Sequence, residues 1–236
     1  MNHEVCFFID LDGVLVDNAL FEDEVLEHIG KELALERKID PDTGMEILRD
    51  QISKPVSGRN RYRYDFQCNK LGLGDEIWKA AHIANKNLLF LYPETIQFLK
   101  KLKKLGKLVI VSDTTRWVLD FKISVSGIGD LVDHTISQDN VSAYKGEKAY
   151  WDSAFRMVGV ACENYDRLFY IENRVERIKK VKKWYPNLEF IHVLQTEHLT
   201  RDQSILIDSQ DESIIRVENL NSALNAIKEL MHSEVY

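Results

Sequence analysis

The sequence has 236 residues, of which 44% are hydrophobic, and its formal net charge at pH 7 is −7. A chain of this length and hydrophobic content can bury a full core and exceeds what one ordinary domain needs, so we expect one domain with an insertion. The negative charge argues against broad attraction to nucleic acid or to an anionic membrane surface.

A short buried strand is the first element that the sequence predicts. The apolar run at residues 5–9 stops at Asp10 and Asp12, and Gly13 follows. Such a run is typical of a parallel sheet, where ligands bind beyond the carboxyl ends of the strands. The two carboxylates point the same way and repel each other unless a proton or a cation lies between them. The pair therefore predicts a metal site, and Mg²⁺ suits such ligands; the alternative is a polar turn without chemistry.

Helical patterns and no convincing strand follow, between residues 17 and 91. Pro93 breaks the pattern before a further helix begins near Glu94. An all-helical insertion therefore separates the first strand from the rest of the chain. Its predicted helices lie at residues 20–35, 43–52, 62–71 and 76–89.

Three arginines lie close together within this helical region. Arg59, Arg61 and Arg63 occur within five residues, and helical spacing places Arg59 and Arg63 on one face. Guanidinium groups on one face could hold a second anionic group of a substrate in a bidentate way. Pairing with Asp65 or Glu76 is an alternative that the sequence leaves open.

The rest of the chain alternates predicted strands with predicted helices. Together with residues 5–9, this alternation predicts a doubly wound, Rossmann-like α/β core with a parallel sheet, into which the helical segment is inserted. The later strand-like runs lie at residues 108–111, 132–136, 168–171, 190–193 and 214–217.

Polar residues follow two of these strands. The run at residues 108–111 ends in Ser112 and Thr114, whose hydroxyls could bind a ligand or only cap the next helix. Glu172 and Asn173 follow the strand at residues 168–171 and could likewise be only the cap of a helix. Because parallel strands end at the same edge of a sheet, a ligand could bind near both pairs.

These segments resemble the motifs of the haloacid dehalogenase superfamily, in the order found in its phosphatases. By this resemblance Asp10 is the nucleophile that forms an aspartyl phosphate, and Asp12 protonates the leaving group and then activates water. Ser112 would bind the phosphoryl group. Lys145, which precedes a predicted helix with aromatic residues about two turns on, would hold the charges of Asp10 and the phosphate together.

The place of the helical segment also resembles this superfamily. Its members carry a helical cap just after the first motif, so the resemblance implies a cap at residues 18–91 and a core domain at residues 1–17 and 92–236. The cap selects the substrate, which makes Arg59 and Arg63, with Thr114 of the core, candidate substrate-binding residues. The list of catalytic candidates remains Asp10, Asp12, Ser112 and Lys145.

The fourth motif departs from the pattern of the superfamily. The resemblance assigns Asp10, Asp12, Glu172 and Asn173 to a Mg²⁺ site, but the superfamily usually has a carboxylate where this chain has Asn173. An amide oxygen binds Mg²⁺ more weakly than a carboxylate does. Weakened metal affinity, with loss of turnover, is therefore an alternative.

The resemblance implies Mg²⁺-dependent hydrolysis of a small phosphorylated metabolite. The alternatives are an impaired binding or regulatory protein and a metal-independent dehalogenase, although dehalogenases lack a second aspartate like Asp12. We expect no nucleic acid or membrane partner, and a monomer or homodimer. The scattered Cys6, Cys68 and Cys162, and the lack of a signal-peptide core, predict a reducing, cytoplasmic location.

Overall fold

The computed structural model describes residues 5–54, 58–160, 167–195, 211 and 213–232. Within these residues the strands are β1 Val5–Asp10, β2 Val16–Asp17, β3 Phe90–Leu91, β4 Lys107–Val111, β5 His134–Ile136, β6 Arg167–Glu172, β7 Glu189–Val193 and β8 Ile214–Val217. Six of them form one sheet in the order β5-β4-β1-β6-β7-β8, and every pair in this sheet is parallel. The predicted parallel α/β core is therefore confirmed.

Helices cover both faces of this sheet. They are α1 Ala19–Arg37, α2 Pro41–Ser53, α3 Tyr64–Lys70, α4 Asp75–Ala84, α5 Thr95–Leu102, α6 Arg116–Ser126, α7 Gln138–Val141, α8 Lys148–Met157, α9 Val175–Trp184 and α10 Leu220–His232, with single 3₁₀ turns at Gly58–Tyr62, Lys86–Leu88 and Gly129–Leu131. No helix in the described part of the chain is long and apolar enough to cross a bilayer.

Strand β1 lies in the middle of the core and is buried on both faces. Alternate residues of a strand point to opposite faces, so Phe7 and Ile9 join one apolar cluster while Cys6 and Phe8 join the other. The Phe7 ring stacks on Phe169 of β6, with centroids 5.0 Å apart. This two-sided burial explains why residues 5–9 read as a continuous apolar run.

Helices α1 to α4 occupy the segment between β2 and β3. These two short strands pair antiparallel, Val16 with Leu91 and Asp17 with Phe90, so the segment leaves and re-enters the core at one place. The prediction of no strand in this region missed β2 and β3, because two-residue strands are too short to show an alternating pattern. The boundaries of a cap at residues 18–91 remain a prediction.

The last predicted helix of this segment ends earlier than expected. Helix α4 stops at Ala84, where the Asn85 amide donates hydrogen bonds to the carbonyls of Ala81 and Glu24. An asparagine side chain that bonds to nearby backbone competes with helix continuation. Helix α5 begins directly after Glu94, as the break at Pro93 predicts.

The strand order places the carboxyl ends of β1, β4 and β6 next to one another. The chain builds β4 and β5 on one side of β1 and then places β6 to β8 on the other side, so the order reverses at β1. Ligands of open α/β sheets bind in the crevice at such a reversal. Asp10, Ser112 and Glu172 end or follow these three strands, which brings the candidate residues to one edge.

Candidate active site

Lys145 forms the centre of the candidate site. Its ammonium Nζ lies 2.5 Å from Oδ1 of Asp10 and 2.9 Å from Oε2 of Glu172, and all three side chains are buried. Lys145 lies in the loop just ahead of α8, which begins at Lys148, and its backbone N–H donates to Asp113. Lys145 is therefore the lysine that lies beside Asp10, whereas Lys148 pairs with the exposed Asp152. Its catalytic role remains a prediction.

Glu172 is fully engaged by protein donors. Oε2 accepts hydrogen bonds from Lys145 and, at 2.5 Å, from the Tyr170 hydroxyl, while Oε1 accepts the backbone N–H groups of Asn173 and Arg174. Burial alone would raise the pKa of Glu172, but Lys145 and then Arg177 outweigh it and hold the pKa well below its usual range. Glu172 is thus an ionised partner of Lys145. This geometry argues against its assignment as a direct metal ligand, which remains untested.

Asp10 is a buried carboxylate beside a second carboxylate. Burial, followed by repulsion from Glu172, raises the pKa of Asp10 to about 7, although Lys145 and Arg177 act in the opposite direction. A proton on Asp10 or a bound cation would relieve this repulsion.

Asp12 is held by a lysine that the sequence analysis did not select. Nζ of Lys122, on α6, lies 2.8 Å from Oδ1 of Asp12 and 2.6 Å from Oε1 of Glu22 on α1. The Tyr64 hydroxyl of α3 donates a hydrogen bond to the other carboxylate oxygen of Glu22. Burial alone would raise the pKa of Glu22, but Lys122, followed by Tyr64 and His82, lowers it to about 2.

The loop after β4 carries hydroxyl groups and a carboxylate, Asp113, that pairs with Arg177. Ser112 Oγ accepts the backbone N–H of Thr114, and the helix cap predicted for Ser112 or Thr114 is instead Thr115, which accepts from Val118 at 3.5 Å. Arg177 Nη2 forms an ion pair with Oδ2 of Asp113 at 2.6 Å. Ser112 and Thr114 both lie at the edge of the site, where they line its cavity. Their role in binding a phosphoryl group remains a prediction.

Asn173 has a buried acceptor without a partner. Its Oδ1 is buried and makes no hydrogen bond, while its Nδ2 lies against Gly13, which has a φ of +77°. A buried amide oxygen without a donor is costly, so a cation or water is the natural partner. No cluster of three or more His, Cys, Asp or Glu with metal-binding geometry occurs in the described ranges. The donors fit an ion held by few protein ligands, as Mg²⁺ often is.

A cavity of about 380 Å³ lies beside these groups. Its lining joins core residues to residues of the inserted helices, and Asp10 and Asp12 face the same space as the hydroxyl-bearing loop. The inserted helices contribute apolar and polar walls. The cavity-lining residues include Ser112, Thr114, Arg174, Arg177 and Val118 from the core, and Glu22, Leu26, Ile52, Tyr64 and Gln67 from the insertion.

The two arginines chosen from the sequence differ in their surroundings. Arg63 lines the cavity, but its guanidinium pairs at 2.6 Å with both Asp65 and Asp139, so the alternative of a pair with Asp65 describes the geometry. Arg59 does not line this cavity, and its Nη2 lies 3.8 Å from Asp139. A role for either in substrate binding remains a prediction.

One signal for the missed lysine exists in the sequence. On α6, Val118, Leu119 and Lys122 share the buried face, so Lys122 is a charged residue at an apolar position of a helix. Buried lysines require partners, and this one has two. Arg177 gave no such signal, because it lies in a segment rich in basic residues, with Lys179, Lys180, Lys182 and Lys183 following it.

The sequence profile of the haloacid dehalogenase-like hydrolases matches residues 5–179. The chain belongs to this family. It is similar in fold to a HAD phosphatase from Thermococcus onnurineus, with a TM-score of 0.76, 18% identity, and coverage of 99% of this chain and 100% of that one.

Dehalogenases have the same fold. A 2-haloacid dehalogenase from Pseudomonas syringae has a TM-score of 0.67 at 14% identity, covering 96% of this chain and 99% of that one. An L-2-haloacid dehalogenase from Xanthobacter autotrophicus, with chloropropionic acid covalently bound, has a TM-score of 0.58 at 14% identity, covering 94% and 98%. No curated protein sequence matches the chain. Similarity of fold therefore does not distinguish a phosphate-ester substrate from a haloacid substrate. Only the residues of the site can do so.

Proposed function

We propose that the protein hydrolyses a small-molecule phosphomonoester through an aspartyl-phosphate intermediate, with Mg²⁺ as cofactor. The observation that carries this proposal is that Asp10 and Asp12 face one cavity together with the Ser112 and Thr114 hydroxyls, while Lys145 holds Asp10 at 2.5 Å. A nucleophile, a second carboxylate for proton transfer and donors for phosphoryl oxygens are the parts that this reaction needs.

In the first step an Asp10 carboxylate oxygen attacks the phosphorus and the ester P–O bond breaks. Asp12 gives its proton to the leaving oxygen, so an alcohol departs and Asp10 carries the phosphoryl group. In the second step Asp12 takes a proton from water, and the resulting hydroxide attacks the phosphorus. The acyl-phosphate P–O bond breaks, which releases inorganic phosphate and restores the Asp10 carboxylate.

The remaining residues fix charge and position. Lys145 stabilises negative charge that develops on the phosphoryl group beside Asp10, and Ser112 with Thr114 donates to its oxygens. Asp10, Asp12 and Asn173 would hold the Mg²⁺, while Glu172 serves as the counterion of Lys145. When bound, Mg²⁺ neutralises charge on the transferring phosphoryl group. We further propose a small phosphorylated metabolite as substrate, a monomer or homodimer in the cytoplasm, and no nucleic acid or membrane partner.

The test compares Asp10→Asn with Asp23→Asn, an exposed aspartate of α1. With Mg²⁺ and a panel of phosphate esters, we expect phosphate release by the wild type and the Asp23 variant and none by Asp10→Asn, because an amide cannot act as the attacking carboxylate. Mass spectrometry after acid quench should place a phosphoryl group on Asp10. Turnover by Asp10→Asn near the wild-type rate would contradict the mechanism, and an inactive wild type would favour the impaired binding protein.

A metal-independent dehalogenase is the second candidate. The neutral Asn173 and the fully engaged Glu172 favour it, since a halide-releasing hydrolase needs no cation at Asp10. Release of halide from 2-haloacids in the presence of EDTA would support this reading. Release of phosphate that stops with EDTA and returns with Mg²⁺ would support the phosphatase.

A further inference from the structure

Lys122 is a buried cation that the mechanism above does not use. Its side chain is completely inaccessible, and its ammonium lies 5.6 Å from the centroid of the Phe21 ring. Both of its ionic partners are carboxylates, Asp12 at 2.8 Å and Glu22 at 2.6 Å. A buried charge of this kind is retained only where its partners are fixed.

Lys122 and its two carboxylate partners come from three separate parts of the fold. Lys122 belongs to core helix α6, Asp12 to the loop after β1, and Glu22 to the first inserted helix. Tyr64, on the third inserted helix, donates to Glu22, and Asn18 donates to the same carboxylate at 3.2 Å. A continuous chain of charged contacts thus runs from Asp12 into the inserted segment.

Proton transfer in the proposed reaction depends on where the Asp12 carboxylate points. Asp12 must meet the leaving oxygen in the first step and a water in the second, and small displacements of such groups lower rates strongly. The Lys122 contact at 2.8 Å engages Oδ1 and restricts the rotation of this side chain. Val118, one turn earlier on α6, lines the same cavity, so the helix that carries Lys122 also forms its wall.

We propose that Lys122 is a positioning residue that orients the Asp12 carboxylate for proton transfer. This orientation depends on the inserted helices, because Glu22 contacts Lys122 and Tyr64 donates to Glu22. The inference rests on the proposed phosphatase reaction. It assigns the inserted segment a part in catalysis beyond enclosing the substrate: water attack on the phosphorylated Asp10 is fast only while Glu22, to which Tyr64 donates, lies against Lys122.

The test uses p-nitrophenyl phosphate, whose phenolate leaves without a proton, and ethyl phosphate, whose alkoxide needs one. For Lys122→Met we expect a burst of about one p-nitrophenolate per site, followed by steady-state turnover slowed about 100-fold, because only water attack needs Asp12 with this substrate. Ethyl phosphate should show no burst, because its first step already needs the proton of Asp12, and its steady-state turnover should fall at least as far. Rapid quench should show phosphorylated Asp10 accumulating with the aryl ester alone.

Three further variants separate positioning from folding. Lys122→Arg keeps the cation and should recover at least about a tenth of wild-type turnover. Lys122→Met combined with Glu22→Gln removes one charge of each sign. It should therefore fold even if Lys122→Met alone fails to fold, and it should keep the burst. Lys31→Met, at an exposed lysine of α1 that pairs with Glu27, should match the wild type.

Each outcome decides the proposal. A burst followed by slow turnover, with rescue by arginine, supports positioning through Asp12. Equal losses with both esters and no burst would show a merely structural role, and unchanged rates would remove Lys122 from the reaction; either overturns the inference while leaving the phosphatase intact. Wild-type protein that hydrolyses neither ester with Mg²⁺ would overturn the proposed function, and the inference with it.

Discussion

Gly13 makes room for the side chain of Asn173 across the ends of β1 and β6. A Cβ atom at position 13 would lie 2.0 Å from Nδ2 of Asn173, and the glycine φ is +77°. The missing side chain and the left-handed backbone together let Asn173, the residue after β6, lie close to the loop that holds Asp12.

Gly13→Ala should displace Asn173 and lower both stability and activity. We expect a loss of about 1–2 kcal/mol in the free energy of unfolding from the positive φ alone, with turnover falling further because the amide must move. Gly72→Ala is a matched control, since its φ is +80° with nothing within 4 Å of an added Cβ. Denaturant unfolding and steady-state kinetics measure both; equal effects of the two changes on turnover would contradict a role for this contact.

Asn173→Asp should strengthen metal binding. A carboxylate replaces a buried amide oxygen that has no donor, so the Mg²⁺ concentration for half-maximal activity should fall by about an order of magnitude. Mn²⁺ should support the wild type at lower concentration than Mg²⁺ does. Metal titrations of phosphate release check this. An unchanged half-maximal concentration would place the ion away from position 173.

Glu172→Gln should act on stability rather than on metal affinity. Removing this charge leaves Lys145 and Arg177 short of a buried counterion, which we expect to cost about 3–5 kcal/mol in the free energy of unfolding. The half-maximal Mg²⁺ concentration should stay near that of the wild type. Glu189→Gln on β7, at a half-exposed pair with Arg167, is the control. A large rise in the Mg²⁺ requirement would restore Glu172 as a ligand.

Lys145→Met should abolish turnover, whereas Lys148→Met should not. The first change leaves Asp10 and Glu172 as buried carboxylates without their shared cation, and we expect at least about a 100-fold loss of kcat together with a lower Tm. Lys148 pairs with Asp152 at the surface, so its loss should cost no more than about 1 kcal/mol. Similar kinetics for the two variants would show that Lys145 is not at the reacting centre.

Acid should destabilise the fold partly through His82. Burial among the rings of Phe21, Tyr64, Trp78, Trp117 and Phe121 lowers its pKa below the ordinary 6.5, with Glu22, Lys122 and Asp12 also facing it. Below pH 6.5 the unfolded chain binds a proton here that the folded chain refuses, so this contribution to stability is present above pH 6.5 and is lost as the pH falls.

Comparison of wild type with His82→Gln isolates that contribution. The free energy of unfolding, measured by denaturant at pH 5 and pH 7, should fall less in the variant than in the wild type. His192 is also buried with a lowered pKa, and it remains in both proteins, so its equal contribution cancels. The same slope in both proteins would mean that His82 does not titrate differently on folding.

The inner strands of the sheet were predictable because they are buried on both faces. Residues 108–111 read as a short apolar run, and the structure places a strand there as Lys107–Val111. At one edge of the sheet, residues 214–217 include the half-buried Arg216, and the structure places a strand there as Ile214–Val217. The pair β2 and β3 was not predictable, because its register depends on where four inserted helices return the chain to the core. Pairing between residues so far apart in the sequence leaves no local hydrophobic pattern.

The site was predictable as far as each residue belongs to a strand end. Asp10 and Ser112 follow from their strands, and Lys145 follows from the resemblance. The bond between Lys122 and Asp12 spans 110 residues, and the engagement of Glu172 by Tyr170 and Lys145 depends on side-chain directions. Such choices of partner are settled by packing in three dimensions, which spacing along the chain does not encode.

The pairing of β2 with β3 gives the chain a modular character. Because Val16 meets Leu91 and Asp17 meets Phe90, a short turn could join the two strands in place of everything between them without shifting the register of the six-stranded sheet. In evolution, the intervening helices could therefore be lengthened, shortened or exchanged as one unit. Substrate range could diverge through such exchanges only where the new segment also presents an acid to Lys122, as Glu22 does.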